Sequence, residues 1–188
     1  MKGCRIEDPF LGFNELKCEW VADKSWSYRV NIPRRPKATH GVKHVLAFDG
    51  LDTYATVKLD GSTIMESDNM FIMHRVDVSS MLSDSEDKLL QIEFKPALLE
   101  SQKIKAAHPE HKWVGFNGDM ARLAARKAQY HYGWDWGPVR TPSLFQKCCK
   151  AYISTDPNDL WTVASYSNRD ISSARRGLTD RLRSRYQL

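Results

Sequence analysis

Apolar and polar side chains alternate along much of the first hundred residues, which is the pattern of half-buried β-strands. Six stretches either show this alternation or are short apolar runs. They are Trp26–Ile32, 44–48, 54–59, 62–65, 71–76 and Lys88–Phe94. Turn residues separate these stretches at short, regular intervals. The pattern therefore predicts an all-β fold, a sandwich or jelly roll.

Turn and helix signals divide the rest of the chain. Asp60-Gly61 lies between two β-rich runs and predicts a hairpin turn, because both turn positions favour positive φ. Residues 77–82 predict a helical turn capped by Asp77 or Ser79. Helices are predicted over Ala97–Ala107, ended by a His-Pro pair, and over 119–129, and a strand is predicted over 151–154.

The net charge is concentrated at one end of the chain. The 188 residues carry 28 Lys plus Arg and 23 Asp plus Glu, a net charge of +5. Residues 168–188 hold six arginines and two aspartates, so +4 belongs to this segment and only +1 to the rest. A basic tail is weak grounds for nucleic-acid binding, and we expect no nucleic-acid partner.

The sequence has no membrane or secretion signal. No run approaches the ~18 apolar residues of a membrane span, and no apolar stretch follows the first residues. We therefore expect a cytoplasmic protein without a membrane partner. Four cysteines at irregular spacing do not predict a disulfide scaffold.

The densest candidate for chemistry is Trp134-Asp135-Trp136, bracketed by glycines. Indoles suit the C–H faces of a sugar, and a carboxylate suits its hydroxyl groups. The alternative is structural: both tryptophans fill a core and Asp135 caps a turn.

Other candidates are weaker. His108 and His111 have metal-ligand spacing but no obvious third ligand, and a solvated loop is the favoured interpretation. Arg122, Arg126 and Lys127 form either an anion-binding face or, as we favour, a solvated helix face. No C-x-x-C pair offers a zinc site, and no glycine-rich phosphate loop is present.

Several ordered motifs resemble one family. The chain is similar to the N-terminal sugar-binding domain of the β-mannosidases of glycoside hydrolase family two, most closely the intracellular fungal type B branch. The Phe-x-Gly-Leu-Asp-Thr motif marks family-two domains generally, and the Arg-Lys-Ala-Gln-Tyr to Gly-Trp-Asp-Trp-Gly-Pro run marks the β-mannosidase branch. The matching stretches are residues 6–10, 14–15 with Trp20, 25–28, 48–57, 68–71, 113–118, 126–130 and 133–138.

The resemblance implies a galactose-binding-like jelly-roll sandwich belonging to a retaining hydrolase that releases terminal, non-reducing β-D-mannose without a metal or cofactor. Both catalytic glutamates of the family lie in a (β/α)₈ barrel that follows this domain, so no catalytic residue is expected here. The resemblance assigns Trp134, Asp135 and Trp136 to the substrate pocket, at the subsite of the mannose whose bond is cut. The implied partners are a β-mannoside oligosaccharide and the barrel.

The ends of the sequence depart from the family pattern. Met1 begins almost at the first motif, and residues 139–143 replace the family's closing segment. We therefore expect a fragment lacking edge strands: a partial sugar-binding domain over 1–140, a divergent end over 141–164 and a basic mobile tail over 165–188. The alternative function is a stand-alone carbohydrate-binding module without catalysis.

Overall fold

Two antiparallel sheets of four strands each form the body of the molecule. The computed structural model describes residues 11–34, 43–82 and 85–133, together with the backbone of two further strands at 150–156 and 159–165. In spatial order the first sheet contains β1 (Trp26–Ile32), β6 (Lys88–Phe94), β3 (Ala55–Leu59) and β4 (Ser62–Ser67). The second contains β5 (His74–Asp77), β2 (Val45–Phe48), β7 (Lys150–Asp156) and β8 (Asp159–Ser165).

The hydrophobic core lies between these sheets. Every second residue of β3 and β6 is buried, so that Val57 and Ile92 lie opposite each other in the ladder, as do Leu59 and Leu90. Phe48 of the second sheet packs into the same core cluster. The period of two thus turns one face of β3 and of β6 inward, and the two facing sheets confirm the predicted sandwich.

Four of the six predicted strands have nearly the expected bounds. β1 and β6 match Trp26–Ile32 and Lys88–Phe94. The hairpin between β3 and β4 is also confirmed, with φ of 48° at Asp60 and 80° at Gly61. Lys88 Nζ lies 2.9 Å from the Asp60 carboxylate, and this contact lowers the pKa of Asp60.

The helices are short. They are α1 (Asn14–Cys18), α2 (Ala97–Ala107) and three 3₁₀ turns at Glu19–Val21, Met120–Ala124 and Gln129–Tyr132. α2 has the predicted bounds. α1 was not predicted, because five residues are too few to show a helical period.

Two predicted elements were partly wrong. The strand expected over 71–76 begins only at His74, because the side chain of Asn69 accepts a hydrogen bond from Phe71 N (3.0 Å) and closes a turn there. The helix expected over 119–129 is divided into two 3₁₀ turns, the first of which is capped by the Asp119 side chain. Residues 126–128 bond to Met70 instead of continuing a helix.

Three smaller expectations have clear outcomes. Residues 77–82 form a single turn capped by Asp77, which accepts a hydrogen bond from Ser79 N at 3.0 Å. The strand expected over 151–154 is β7, which pairs with β2. β8 was not predicted, and residues 166–188 of the predicted tail lie outside the described part of the chain. In the described residues, no helix is long and apolar enough to cross a membrane.

The alternation in β6 gives a direct test of the core. Leu90 is fully buried, whereas its neighbour Leu89 is 36% exposed on the opposite face. We expect Leu90→Ala to lower the free energy of unfolding by about 2–5 kcal/mol, because it leaves a cavity between the sheets. The same substitution at Leu89 should cost much less. Denaturant unfolding of both variants measures the difference, and equal losses would contradict the assigned register.

Candidate functional site

A buried ion pair joins two loops at one end of the sandwich. Lys127 Nζ donates a hydrogen bond to Asp52 Oδ2 at 2.7 Å, and the two side chains are only 4% and 1% exposed. Thr53 Oγ1 donates to the other carboxylate oxygen of Asp52. We call Asp52, Thr53, Lys127 and the adjacent His131 the Asp52 cluster.

The strand order explains why these residues meet. Ala55, Phe94 and Ser67 are paired at one end of the first sheet, and Phe48 ends β2 in the second sheet. The loop 49–54, the loop after β4 and the whole segment after β6 therefore leave the sandwich at the same end. Asp52 comes from the first of these segments, and Lys127 comes from the last.

Lys127 is held in place by its neighbours in the backbone. Arg126 O accepts a hydrogen bond from Met70 N (3.0 Å), and Ala128 N donates to Met70 Sδ (3.0 Å). Arg126 and Asn69 also form a parallel bridge. Residues 126–128 are not helical here, and Lys127 and Ala128 are buried while Arg126 is exposed.

His131 adds a second nitrogen to the Asp52 carboxylate. Its Nδ1 lies 3.5 Å from Asp52 Oδ2, farther than Lys127 Nζ. Burial lowers the pKa of His131 below 6.5, and the positive charge of Lys127 lowers it further, against the opposing effect of Asp52. His131 is therefore neutral near pH 7, and Lys127 supplies the charge that balances Asp52.

Two tyrosines connect the Asp52 cluster to α2. Burial raises the pKa of Tyr132 well above its usual range, and burial also raises that of Tyr54. The Ser101 hydroxyl lowers both pKa values and so opposes the effect of burial. The same hydroxyl donates a hydrogen bond to Ala97 O at 2.7 Å. Both phenols therefore stay protonated at neutral pH.

Tyr54 also lines an open, mostly polar cleft. Its volume is about 320 Å³. Its lining residues are Tyr54, Ala55, Thr56, Glu66, Ser67, Asp68, Lys95 and Glu100. Three carboxylates face one lysine there, so the cleft is acidic.

The weaker sequence candidates have different outcomes. His108 and His111 lie in an exposed loop, as we favoured, with their rings stacked at 5.8 Å and His108 Nδ1 2.9 Å from Glu110 Oε1. Within the described ranges, no three His, Cys, Asp or Glu side chains are grouped to hold a metal ion. Both interpretations of Arg122, Arg126 and Lys127 as one face were wrong, because Lys127 turns inward to Asp52.

Trp134, Asp135 and Trp136 lie outside the described residues. The residue before them is Gly133, which follows the Gln129–Tyr132 turn and has a φ of 88°. The grouping of Asp52, Lys127 and His131 was not predicted. The available signal was a charged residue inside each of two motifs, Phe-Asp-Gly-Leu-Asp-Thr and Arg-Lys-Ala-Gln-Tyr.

The two antiparallel sheets with few short helices define a galactose-binding-like jelly roll. The chain belongs to the family described as "Glycosyl hydrolase 2 galactose-binding domain-like", whose model matches residues 1–143. The motifs that carried the resemblance are thus confirmed as those of glycoside hydrolase family two.

Named relatives are β-mannosidases. The chain is 49% identical over 172 residues to the beta-mannosidase B of Emericella nidulans, covering 91% of this chain and 20% of the relative. It is 48% identical over 159 residues to that of Aspergillus terreus, covering 84% and 19%. The crystal structure of the beta-D-mannosidase from Dictyoglomus thermophilum superposes with a TM-score of 0.64 and 26% identity, over 79% of this chain and 21% of that one. The chain therefore spans about a fifth of the length of these relatives.

The buried ion pair predicts an asymmetric response to mutation. Lys127→Met leaves the Asp52 carboxylate buried without its cation, and we expect a loss of about 3–5 kcal/mol in the free energy of unfolding. The double variant Asp52→Asn/Lys127→Met should recover much of that loss, because no buried charge remains. Denaturant unfolding of the wild type, the single variant and the double variant measures both effects.

Lys103→Met is the matched control. Lys103 Nζ also lies 2.7 Å from a carboxylate oxygen, that of Glu100, but its side chain is 72% exposed. Loss of this surface pair should change stability little. If Lys127→Met and Lys103→Met cost the same, the Asp52–Lys127 pair is not the buried contact described above.

The lowered pKa of His131 predicts a pH effect on stability. The unfolded chain binds a proton at this residue below pH 6.5, whereas the folded chain does so only at lower pH. The His131 contribution is therefore complete above pH 6.5 and decreases as the pH falls toward the folded pKa. We expect His131→Gln to flatten the rise in unfolding free energy between about pH 5 and about pH 7.

Unfolding curves at several pH values measure this slope. His111→Gln is the control, because His111 is exposed in the 108–113 loop, and this variant should keep the wild-type slope. A wild-type slope in His131→Gln would show that His131 titrates alike in the folded and unfolded states.

Proposed function

We propose that this chain forms part of a retaining β-mannosidase and contributes Trp134, Asp135 and Trp136 to its substrate pocket. The observation that carries the proposal is the 49% identity to a beta-mannosidase B over 91% of this chain. The proposed substrate is a β-mannoside oligosaccharide, and the proposed structural partner is a (β/α)₈ barrel. We also propose an intracellular location, which the resemblance to the intracellular fungal branch implies.

The chemistry of the three residues supports this role. Indole faces pack against the C–H groups of a pyranose ring, and an ionised carboxylate accepts strong hydrogen bonds from its hydroxyls. In a retaining glycosidase, one carboxylic acid protonates the leaving oxygen and a second carboxylate attacks the anomeric carbon. Asp135 takes neither role: it holds the sugar whose bond is cut, and hydrogen bonds that strengthen as the ring distorts accelerate the reaction.

The Asp52 cluster supports the same assignment from the structure. Asp52 lies in the 48–57 motif and Lys127 in the 126–130 motif, and their side chains meet at 2.7 Å. The second motif leads within seven residues to Trp134. The residues that carried the resemblance thus include both partners of one buried contact.

We test this role in a chimera, in which the aligned part of this chain replaces its counterpart in the Emericella nidulans enzyme. Hydrolysis of a chromogenic β-mannoside is expected for the chimera. Asp135→Ala should lower kcat/KM by about 10- to 100-fold, the effect of losing a charged hydrogen bond to the sugar. Asp23→Ala, at an exposed position, should leave kcat/KM unchanged.

Two results would contradict the proposal. One is an inactive chimera beside an active Emericella nidulans enzyme, and the other is full activity in Asp135→Ala. The 188-residue chain alone should not hydrolyse the substrate, since the proposed catalytic glutamates belong to the barrel. A thermal shift of this chain with mannose, without hydrolysis, would instead favour the stand-alone carbohydrate-binding module.

A further inference from the structure

The segment that leads to Gly133 is attached to the rest of the domain through Asp52 and Met70. Further hydrogen bonds of the segment are local: His131 N donates to Ala128 O at 3.0 Å. The Gln129 side chain donates to Arg122 O at 3.1 Å and to Lys127 O at 3.4 Å. The Asp52–Lys127 pair joins the segment directly to the β2–β3 loop, and His131 Nδ1 approaches the same Asp52 oxygen at the longer distance of 3.5 Å.

We propose that Asp52 and Lys127 are positioning residues, which fix residues 127–133 relative to the sandwich so that the substrate-binding residues enter the pocket at the correct place. This inference rests on the proposed function. Neither residue touches the substrate in this role. Lys127 acts through the chain that follows it, and Asp52 acts through Lys127.

A buried ion pair contributes little net free energy to folding. The free energy needed to remove both charges from water cancels much of the free energy of their attraction. A well-packed apolar pair is therefore often at least as stable. A buried pair does, however, impose direction. Lys127 Nζ lies 2.7 Å from a buried carboxylate oxygen of Asp52. Displacement of the segment would separate the two charges while both remained buried.

The surroundings make this restraint local and stiff. The second oxygen of Asp52 accepts the Thr53 hydroxyl, which limits rotation of the carboxylate. Met70 holds the backbone on both sides of Lys127 through Arg126 O and Ala128 N. The anchored residue is therefore restrained at its side chain and on either side of its backbone.

Positioning of this kind affects the reaction rate more than it affects the stability of the fold. A displacement of about 1 Å at a substrate contact can reduce the rate by about 100-fold. A purely structural pair would instead change the folded fraction and leave the kinetics of each folded molecule unaltered. These two roles are therefore separable by experiment.

The experiment uses the chimera with the neutral pair Asp52→Asn/Lys127→Met, assayed well below its melting temperature. Because no buried charge remains, the domain should stay folded. We expect kcat/KM for the β-mannoside to fall about 10- to 100-fold. Lys127→Arg keeps a cation beside Asp52 and should restore most of the activity. The neutral pair Lys58→Met/Glu93→Gln is the control, since its N–O distance is also 2.7 Å but it lies on the outer face of the first sheet.

A double-mutant cycle with Asp135→Ala identifies the path of the effect. If the pair acts by positioning Asp135 and its neighbours, removing the pair costs less when Asp135 is already alanine. If the reductions in kcat/KM caused by the neutral pair and by Asp135→Ala simply multiply in the combined variant, the inference is overturned. Wild-type kcat/KM in the folded neutral-pair variant would also overturn it. If the neutral pair does not fold, the single variant Asp52→Asn carries the test: unchanged KM and kcat with a lower melting temperature would mean a structural role only.

The outcome for the inference is distinct from that for the proposed function. Full activity of Asp135→Ala would overturn both. Reduced activity of Asp135→Ala together with full activity of the neutral pair would overturn only the positioning role.

Discussion

The burial of Asp52 and Lys127 is the constraint on which the architecture of this end of the molecule depends. Neither charge is stable alone in an environment that leaves the two side chains 1% and 4% exposed. The loop after β2 and the segment after α2 must therefore meet wherever the chain folds. Their contact converts two distant parts of the sequence into one rigid end of the sandwich.

The β-sandwich brings the loop after β2 and the segment after α2 to the same end of the molecule. It does not determine which residues of the two form a contact. The core between the sheets is apolar and follows the alternation of the strands, and many sequences satisfy such a requirement. A hydrophobic contact would tolerate sliding of the segment over the loop. A single nitrogen–oxygen contact of 2.7 Å between buried charges does not.

The strands were predictable because their signal is local. β1 and β6 alternate with period two over seven residues, and Asp60-Gly61 favours the positive φ values that the hairpin requires. The Asp52 cluster was not predictable in this way. Asp52 and Lys127 are 75 positions apart, and a lysine beside two arginines has the composition of a solvated helix. Only the tertiary contact of residues 126–128 with Met70 turns that lysine inward.

The split of the predicted helix over 119–129 follows from the same contact. A helix through residues 125–128 would satisfy its own backbone groups, but would carry Lys127 around the helix axis and away from Asp52. The non-helical conformation gives the Arg126 carbonyl to Met70 N and the Ala128 N–H to Met70 Sδ, so the backbone loses few partners. Local helix propensity is a fraction of a kcal/mol per residue, whereas an unpaired buried charge costs several. The buried pair therefore determines the secondary structure of the segment that carries it.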